Sequence, residues 1–137
     1  ELLRWYNDVK VDVSEDSVIN SNIDLETKDI DFGEPNVRKK VYRAYITYTG
    51  GQGNVLCYYQ ANQSGTWTKA TVFDADGDAA TTANQLNTST AQTRAELKFG
   101  TGGNNIYSFA LKFDSAGLIN KFEINDITIV YRLKKPK

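Results

Sequence analysis

Residues 39–49 read KKVYRAYITYT, and this stretch decides the fold class. It is rich in Tyr, Val, Ile and Thr, and it alternates two faces with the period of two that a β-strand has. Residues 55–60, 94–99, 106–113 and 121–133 form similar runs, separated by segments rich in Gly, Asn, Asp and Ser. No long stretch shows helical periodicity. The sequence predicts an all-β fold, an antiparallel β-sandwich of the jelly-roll or immunoglobulin-like type.

The segment that follows the first strand predicts how the next strands are connected. Residues 50–54 read GGQGN, a composition typical of a hairpin turn. Residues 39–49, 55–60 and 66–70 should therefore form an antiparallel meander.

Two later strands carry more specific information. In residues 106–113, one face presents Tyr107, Phe109, Leu111 and Phe113, which predicts an aromatic-rich buried surface. In residues 121–133 the apolar positions change phase at Asn125-Asp126. A strand that buries one face needs an extra residue there, so we predict a β-bulge unless both faces are buried.

Charge is unevenly distributed along the 137 residues. Residues 1–34 carry ten acids and three bases, whereas residues 35–137 carry thirteen bases and seven acids. We interpret residues 1–34 as an acidic N-terminal segment with short strands, packed on the sandwich or docking to a neighbour, and residues 35–137 as the β-sandwich domain. The net charge of −1 does not favour nucleic acid as a partner. The chain opens with Glu1 rather than Met, so we interpret it as the C-terminal part of a longer protein, and a trimmed chain is equally compatible.

The composition argues against most enzyme classes. The chain has no His and a single cysteine, Cys57, so it has no imidazole base for nucleophilic catalysis and no ligand set for a zinc site. Candidate carboxylates show no catalytic spacing. We therefore predict no enzyme activity, no catalytic residues and no cofactor. No apolar run approaches the ~18 residues of a membrane helix, so no membrane span is predicted.

The acidic stretch from Asp74 to Asp78 is a candidate calcium loop, because alternating carboxylates can converge on one hard cation. It departs from the EF-hand pattern, which would require glycine at Ala79 and glutamate at Gln85. The favoured interpretation is a solvated turn, and no metal site is predicted.

Aromatic and amide side chains suggest a ligand site. Trp67 and Tyr59 lie on neighbouring predicted strands, close to Asn62 and Gln63. An exposed ring beside amides can stack on a sugar while the amides bond its hydroxyls. Adjacent tyrosines point to opposite faces of a strand, so one of Tyr58 and Tyr59 should face outward. The alternative is that Trp67 and a tyrosine belong to the core.

Two blocks carry a family resemblance: DIDFG (residues 29–33) with VRKKVYRAYITY (residues 37–48), and FEINDITIVYRLK (residues 122–134). They resemble C-terminal β-rich segments of virion structural proteins from tailed bacteriophages, particularly marine phages. The resemblance implies a virion part of the tail or its appendages, whose partners are other virion proteins or further copies of the chain. Residues 125–129 are also similar to the last strand of jelly-roll carbohydrate-binding modules. That likeness implies the alternative function, binding of a host-surface glycan.

Overall fold

The computed structural model describes residues 2–5, 9–12, 24–50, 54–79, 84–87, 89–115 and 121–134. These residues form ten β-strands and one short 3₁₀ turn at Gly100–Gly103. The strands are β1 (Leu2–Trp5), β2 (Val9–Asp12), β3 (Asp24–Glu26), β4 (Lys39–Gly50), β5 (Val55–Ala61), β6 (Thr68–Lys69), β7 (Thr71–Phe73), β8 (Ser89–Lys98), β9 (Phe109–Ser115) and β10 (Lys121–Leu133). The predicted all-β fold is confirmed. No helix in the described ranges is long and apolar enough to cross a bilayer.

The strands form two antiparallel sheets. The larger has the order β1-β10-β4-β8-β7, with β2 also paired to β10, and the smaller has the order β3-β9-β5-β6. Consecutive strands alternate between the two sheets from β2 to β5 and again from β8 to β10. Between these two stretches, β5 and β6 are neighbours in the smaller sheet, and β7 and β8 are neighbours in the larger one. This order is that of a jelly roll. Of the two predicted sandwich types, the topology therefore matches the jelly roll.

The predicted meander is wrong at its first connection. β4 lies in the larger sheet and β5 in the smaller, so the segment at residues 50–54 joins two sheets and does not close a hairpin. Each of the two strands buries alternate residues, and that pattern is equally compatible with hydrogen-bonded neighbours and with strands packed face to face. The second connection is correct, since Tyr58 of β5 pairs with Lys69 of β6.

The pairing of β10 with β4 contains two register shifts. The first lies between Ile124 and Asp126 of β10, which confirms the predicted bulge. The second was not predicted: Val130 pairs with Arg43 but Tyr131 pairs with Val41, so Tyr42 is the extra residue in β4. The extra residue moves Val41 onto the same buried face as Ala44, Ile46 and Tyr48.

The core lies between the sheets and is rich in aromatic side chains. Tyr59, Phe99 and Phe109 form a cluster whose ring centroids lie 4.9 to 6.0 Å apart. Phe109, Leu111 and Phe113 are fully buried, as expected from their shared face. Tyr107 breaks that expectation and is 39% exposed, because β9 begins only at Phe109 and the preceding residues belong to a loop.

Strands from residues 1–34 contribute to both sheets. β1 and β2 pair with consecutive parts of β10, and β3 pairs with β9. Ile30 forms an isolated bridge with Phe109, which extends the contact between the segment after β3 and the smaller sheet.

Candidate binding cleft

Three connecting segments meet around a cleft of about 320 Å³: residues 27–38 after β3, residues 62–65 after β5, and residues 104–108 before β9. We call this the binding cleft. The side chains that line it are mostly polar: Asp29, Asp31, Pro35, Asn62, Gln63, Tyr107 and Ser108.

The turn after β5 is built to hold one wall of the cleft. Asn62 and Gln63 have φ values of +56° and +54°, and the Ser64 amide donates to the Ala61 carbonyl over 3.2 Å. Two consecutive left-handed residues define a type I′ turn, and asparagine tolerates that conformation better than most residues. Asn62 Oδ1 accepts hydrogen bonds from the backbone amides of Tyr107 at 2.7 Å and Ser108 at 3.4 Å, which fixes the turn to the segment before β9.

A side-chain hydrogen bond joins the turn after β5 to the segment after β3. Gln63 Nε2 donates to Asp29 Oδ2 over 3.0 Å. Asp31 shapes the neighbouring turn, because its Oδ1 accepts from the Gly33 amide at 2.9 Å. Asp29 Oδ1 is buried and has no hydrogen-bond partner within the described residues, which leaves this carboxylate incompletely satisfied.

Lys39 connects two of the segments that form the cleft. Its side chain is fully buried, and its ammonium group donates to the carbonyl oxygens of Glu34 and Tyr107, the latter at 2.6 Å. Burial lowers the pKa of Lys39, while the nearby charges of Asp31 and Glu34 act in the opposite direction. The lysine thus ties the segment after β3 to the segment before β9.

The aromatic side chain at the cleft is Tyr107. Its hydroxyl oxygen accepts a hydrogen bond from Arg38 Nε at 3.1 Å, and the Arg38 guanidinium carbon lies 5.8 Å from the ring centroid. Arg38 is therefore held along the tyrosine, which fixes the position of the half-exposed ring beside the cleft.

The four residues predicted from the sequence do not form one site. Asn62 and Gln63 line the cleft together, but Trp67 does not contribute to its lining. Trp67 is half-buried, and Lys112 Nζ lies 5.6 Å from its ring centroid. Since Lys112 pairs with Tyr58 across the smaller sheet, this tryptophan belongs to the outer face of that sheet.

Tyr59 requires a correction. It is 7% exposed, its ring packs in the core cluster, and its hydroxyl donates to the Phe99 carbonyl over 3.1 Å. The two adjacent tyrosines do face opposite ways, but Tyr58 is the one that faces outward. Tyr59 was assigned to the wrong face because period-two alternation gives relative orientation and leaves open which face is the core.

The cleft also contains residues that the sequence did not single out. Asp29 and Asp31 lie in the DIDFG block, which indicated only a structural resemblance, Ser108 lies in a segment without a recognisable motif, and Tyr107 was expected in the core. The Asn104-Asn105 turn immediately before Ile106 is the signal that could have placed Tyr107 in a loop, because Asn105 takes a φ of +56°.

The acidic stretch after β7 forms a local turn. Asp74 Oδ1 accepts hydrogen bonds from the backbone amides of Asp76 and Asp78, both at 2.9 Å. One carboxylate oxygen from each of the three aspartates lies within 4.8 Å of the others. The backbone amides of the turn therefore stabilise its conformation through the Asp74 carboxylate. Cys57 is fully buried, and burial raises the pKa of its thiol, so it is not a reactive nucleophile.

No protein-family model matches this chain, and no curated protein sequence matches it. Among solved structures, the chain is similar over 98% of its length to the enzymatically active domain of tailspike protein 4 of bacteriophage CBA120, at 13% identity and a TM-score of 0.42. It covers 19% of that tailspike chain. It is also similar over 97% of its length to the coat protein of Tobacco streak virus, at 14% identity and a TM-score of 0.38, and covers 87% of that chain.

Proposed function

We propose that this chain is a non-enzymatic structural domain of a bacteriophage virion, in the tail or a tail appendage, that acts by docking to other virion proteins or to copies of itself. The observation that carries the proposal is the outer face of the larger sheet. This face presents aromatic rings and cationic side chains together, whereas the opposite face of the same sheet forms the core.

We define the basic aromatic face by seven residues on β4, β7 and β8. Its cations lie over its rings: Lys40 Nζ is 5.0 Å from the Tyr42 centroid, the Arg94 guanidinium is 4.8 Å from that of Tyr45, and Lys98 Nζ is 4.7 Å from that of Phe73. The seventh residue, Arg43, pairs with Glu96 at 3.2 Å. Tyr42 is 38% exposed, because the bulge in β4 turns both Tyr42 and Arg43 outward.

The aromatic residues and the two arginines of this face are of the types that occur often in protein interfaces. Such residues are enriched where proteins dock, and they supply a large share of the binding free energy. The face is also cationic, while residues 1–34 carry seven net negative charges. The acidic segment of a second copy, or an acidic surface of another virion protein, would therefore be complementary to it.

The test uses two exposed tyrosines as a matched pair. Tyr42 and Tyr107 are 38% and 39% exposed, and only Tyr42 lies on the basic aromatic face. Light scattering coupled to size exclusion should detect self-association that weakens in Tyr42→Ala and at raised salt, but not in Tyr107→Ala. A protein that remains monomeric at high concentration would refute self-docking. Antibodies against the chain should label tails of the parent virus, and unlabelled particles would refute the virion assignment.

A second candidate function is binding of a host-surface glycan. It is favoured by one observation, that Asn62 and Gln63 point amide groups into a cleft with fixed walls. Screening the purified chain against immobilised glycans tests this candidate. Retention of at least one neutral glycan is expected, and a folded protein that retains none would refute it.

A further inference from the structure

We propose that the binding cleft holds one neutral monosaccharide unit, with Asp31, Asn62, Gln63 and Ser108 bonding its hydroxyl groups and Tyr107 as its apolar wall. The proposal rests on the glycan-binding function and places it in the cleft. Trp67 is not part of the proposed site, because it lies on the outer face of the smaller sheet.

The hydrogen bonds within the protein determine which polar groups remain for a ligand. Gln63 must turn its nitrogen to Asp29, because the carboxylate accepts and does not donate, so Gln63 Oε1 remains an acceptor for the cleft. Asn62 Oδ1 already accepts from two backbone amides, so Asn62 Nδ2 remains a donor. Neither Asn62 Nδ2 nor Ser108 Oγ makes a hydrogen bond within the described residues.

A cleft that offers both hydrogen-bond donors and acceptors fits the hydroxyl groups of a sugar. A sugar hydroxyl donates and accepts at once, so neighbouring hydroxyls can bond an amide donor on one side and an amide or carboxylate oxygen on the other. Asp31 Oδ1 is used by the Gly33 amide, which leaves its second oxygen as a strong acceptor. Together these groups supply the donor and the acceptors that two adjacent hydroxyl groups need.

The charges favour a neutral ligand. Asp29 and Asp31 line the cleft and repel anionic sugars and phosphate groups. None of the described residues that line the cleft is cationic: Lys39 is buried on two carbonyl oxygens, and Arg38 lies along Tyr107 beside the cleft. A sialylated or phosphorylated glycan would therefore place its charge closest to the two carboxylates.

The cleft is organised before a ligand arrives. Gln63 and Asp29 join two of its segments, Asn62 joins the turn after β5 to the segment before β9, and Lys39 joins that segment to Glu34. A site with fixed walls loses less conformational entropy on binding than a mobile loop does. Its volume of about 320 Å³ lies at the lower end of the ~300–1,000 Å³ usual for ligand sites, which suits one sugar ring.

Saturation-transfer NMR on the purified chain provides the test, with free glucose, galactose, mannose, N-acetylglucosamine and sialic acid as probes. Asn62→Asp keeps the oxygen that the turn needs and removes the donor that faces the ligand. We expect transfer to at least one neutral sugar and none to sialic acid, with binding weakened at least tenfold in Asn62→Asp and in Tyr107→Ala. Trp67→Ala should bind as the wild type does.

The outcomes separate this inference from the function on which it rests. If binding is lost in Trp67→Ala and retained in Asn62→Asp and Tyr107→Ala, the chain binds sugars but the cleft assignment is wrong. If sialic acid is preferred, the charge argument is wrong. If the folded chain binds neither the free sugars nor any immobilised glycan, both the inference and the glycan-binding function fail.

Discussion

Replacement of Tyr48 by phenylalanine should change how the stability of the sandwich depends on pH. Tyr48 is 2% exposed, and its hydroxyl donates to the Asn87 carbonyl over 2.9 Å. Burial, followed by the interactions with Cys57 and then with Asp74, raises the pKa of Tyr48 from 10.0 to about 12. Between these two values the unfolded chain loses the phenolic proton while the folded chain keeps it. The unfolded state is therefore favoured as pH rises through this range.

The size of the effect follows from the shift. Each pKa unit corresponds to about 1.4 kcal/mol, so the limiting loss above pH 12 is about 3 kcal/mol, and about half of that has developed at pH 11. At neutral pH the wild type should be more stable than Tyr48→Phe by about 1 kcal/mol, because the variant lacks the hydrogen bond to Asn87. The two opposing effects become equal between about pH 10 and pH 11, where the stability curves should cross.

Urea unfolding followed by tryptophan fluorescence, in steps from pH 8 to pH 11, measures both proteins under identical conditions. Taking the difference between them cancels the contributions of titrating groups that do not interact with Tyr48. Cys57 does interact with Tyr48, but its thiol keeps its proton across this range because burial raises its pKa. A difference in unfolding free energy that stays constant across this range would show that the folded state does not hold the Tyr48 proton, and the reasoning would be refuted.

Further substitutions test the packing, each by urea unfolding at pH 7. Tyr59→Ala should lose about 3–5 kcal/mol, whereas Tyr58→Ala should lose less than about 1 kcal/mol; equal losses would contradict the face assignment. Phe109→Ala should lose about 3–5 kcal/mol, and a smaller loss would mean that the aromatic cluster collapses into the space. Gly103→Ala places a Cβ 2.6 Å from the Val41 carbonyl oxygen and should lose about 1–3 kcal/mol, unless the backbone moves freely there.

The sequence predicted those features that depend on the residues of a single strand. The run from residue 121 to 133 corresponds to β10, and the phase change at Asn125 marks the observed bulge. Both features follow from the side-chain period of two, which any buried strand face must obey. The fold class followed from the same reasoning.

Features that depend on two distant segments could not be read in the same way. The bulge at Tyr42 could not be predicted from the sequence of β4 alone. Val41 and Ala44 are both apolar although they have opposite parity, so the pattern is compatible with either face of the strand being buried. The assignment of β5 to the opposite sheet and the burial of Tyr59 depend on which surface faces the core, and a single strand does not encode that choice. The cleft needs three loops to meet, so only Asn62 and Gln63, which share one turn, were found together.

The position of β10 has a consequence for how the chain folds. β10 pairs with β1 and β2 on one edge and with β4 on the other, so Leu2 meets Val130 across nearly the whole described sequence. Among the described strands, β1 and β2 pair only with β10, so during synthesis on the ribosome they wait for β10 to emerge. We expect assembly of the larger sheet to be late and slow, as is usual when pairing is dominated by distant contacts.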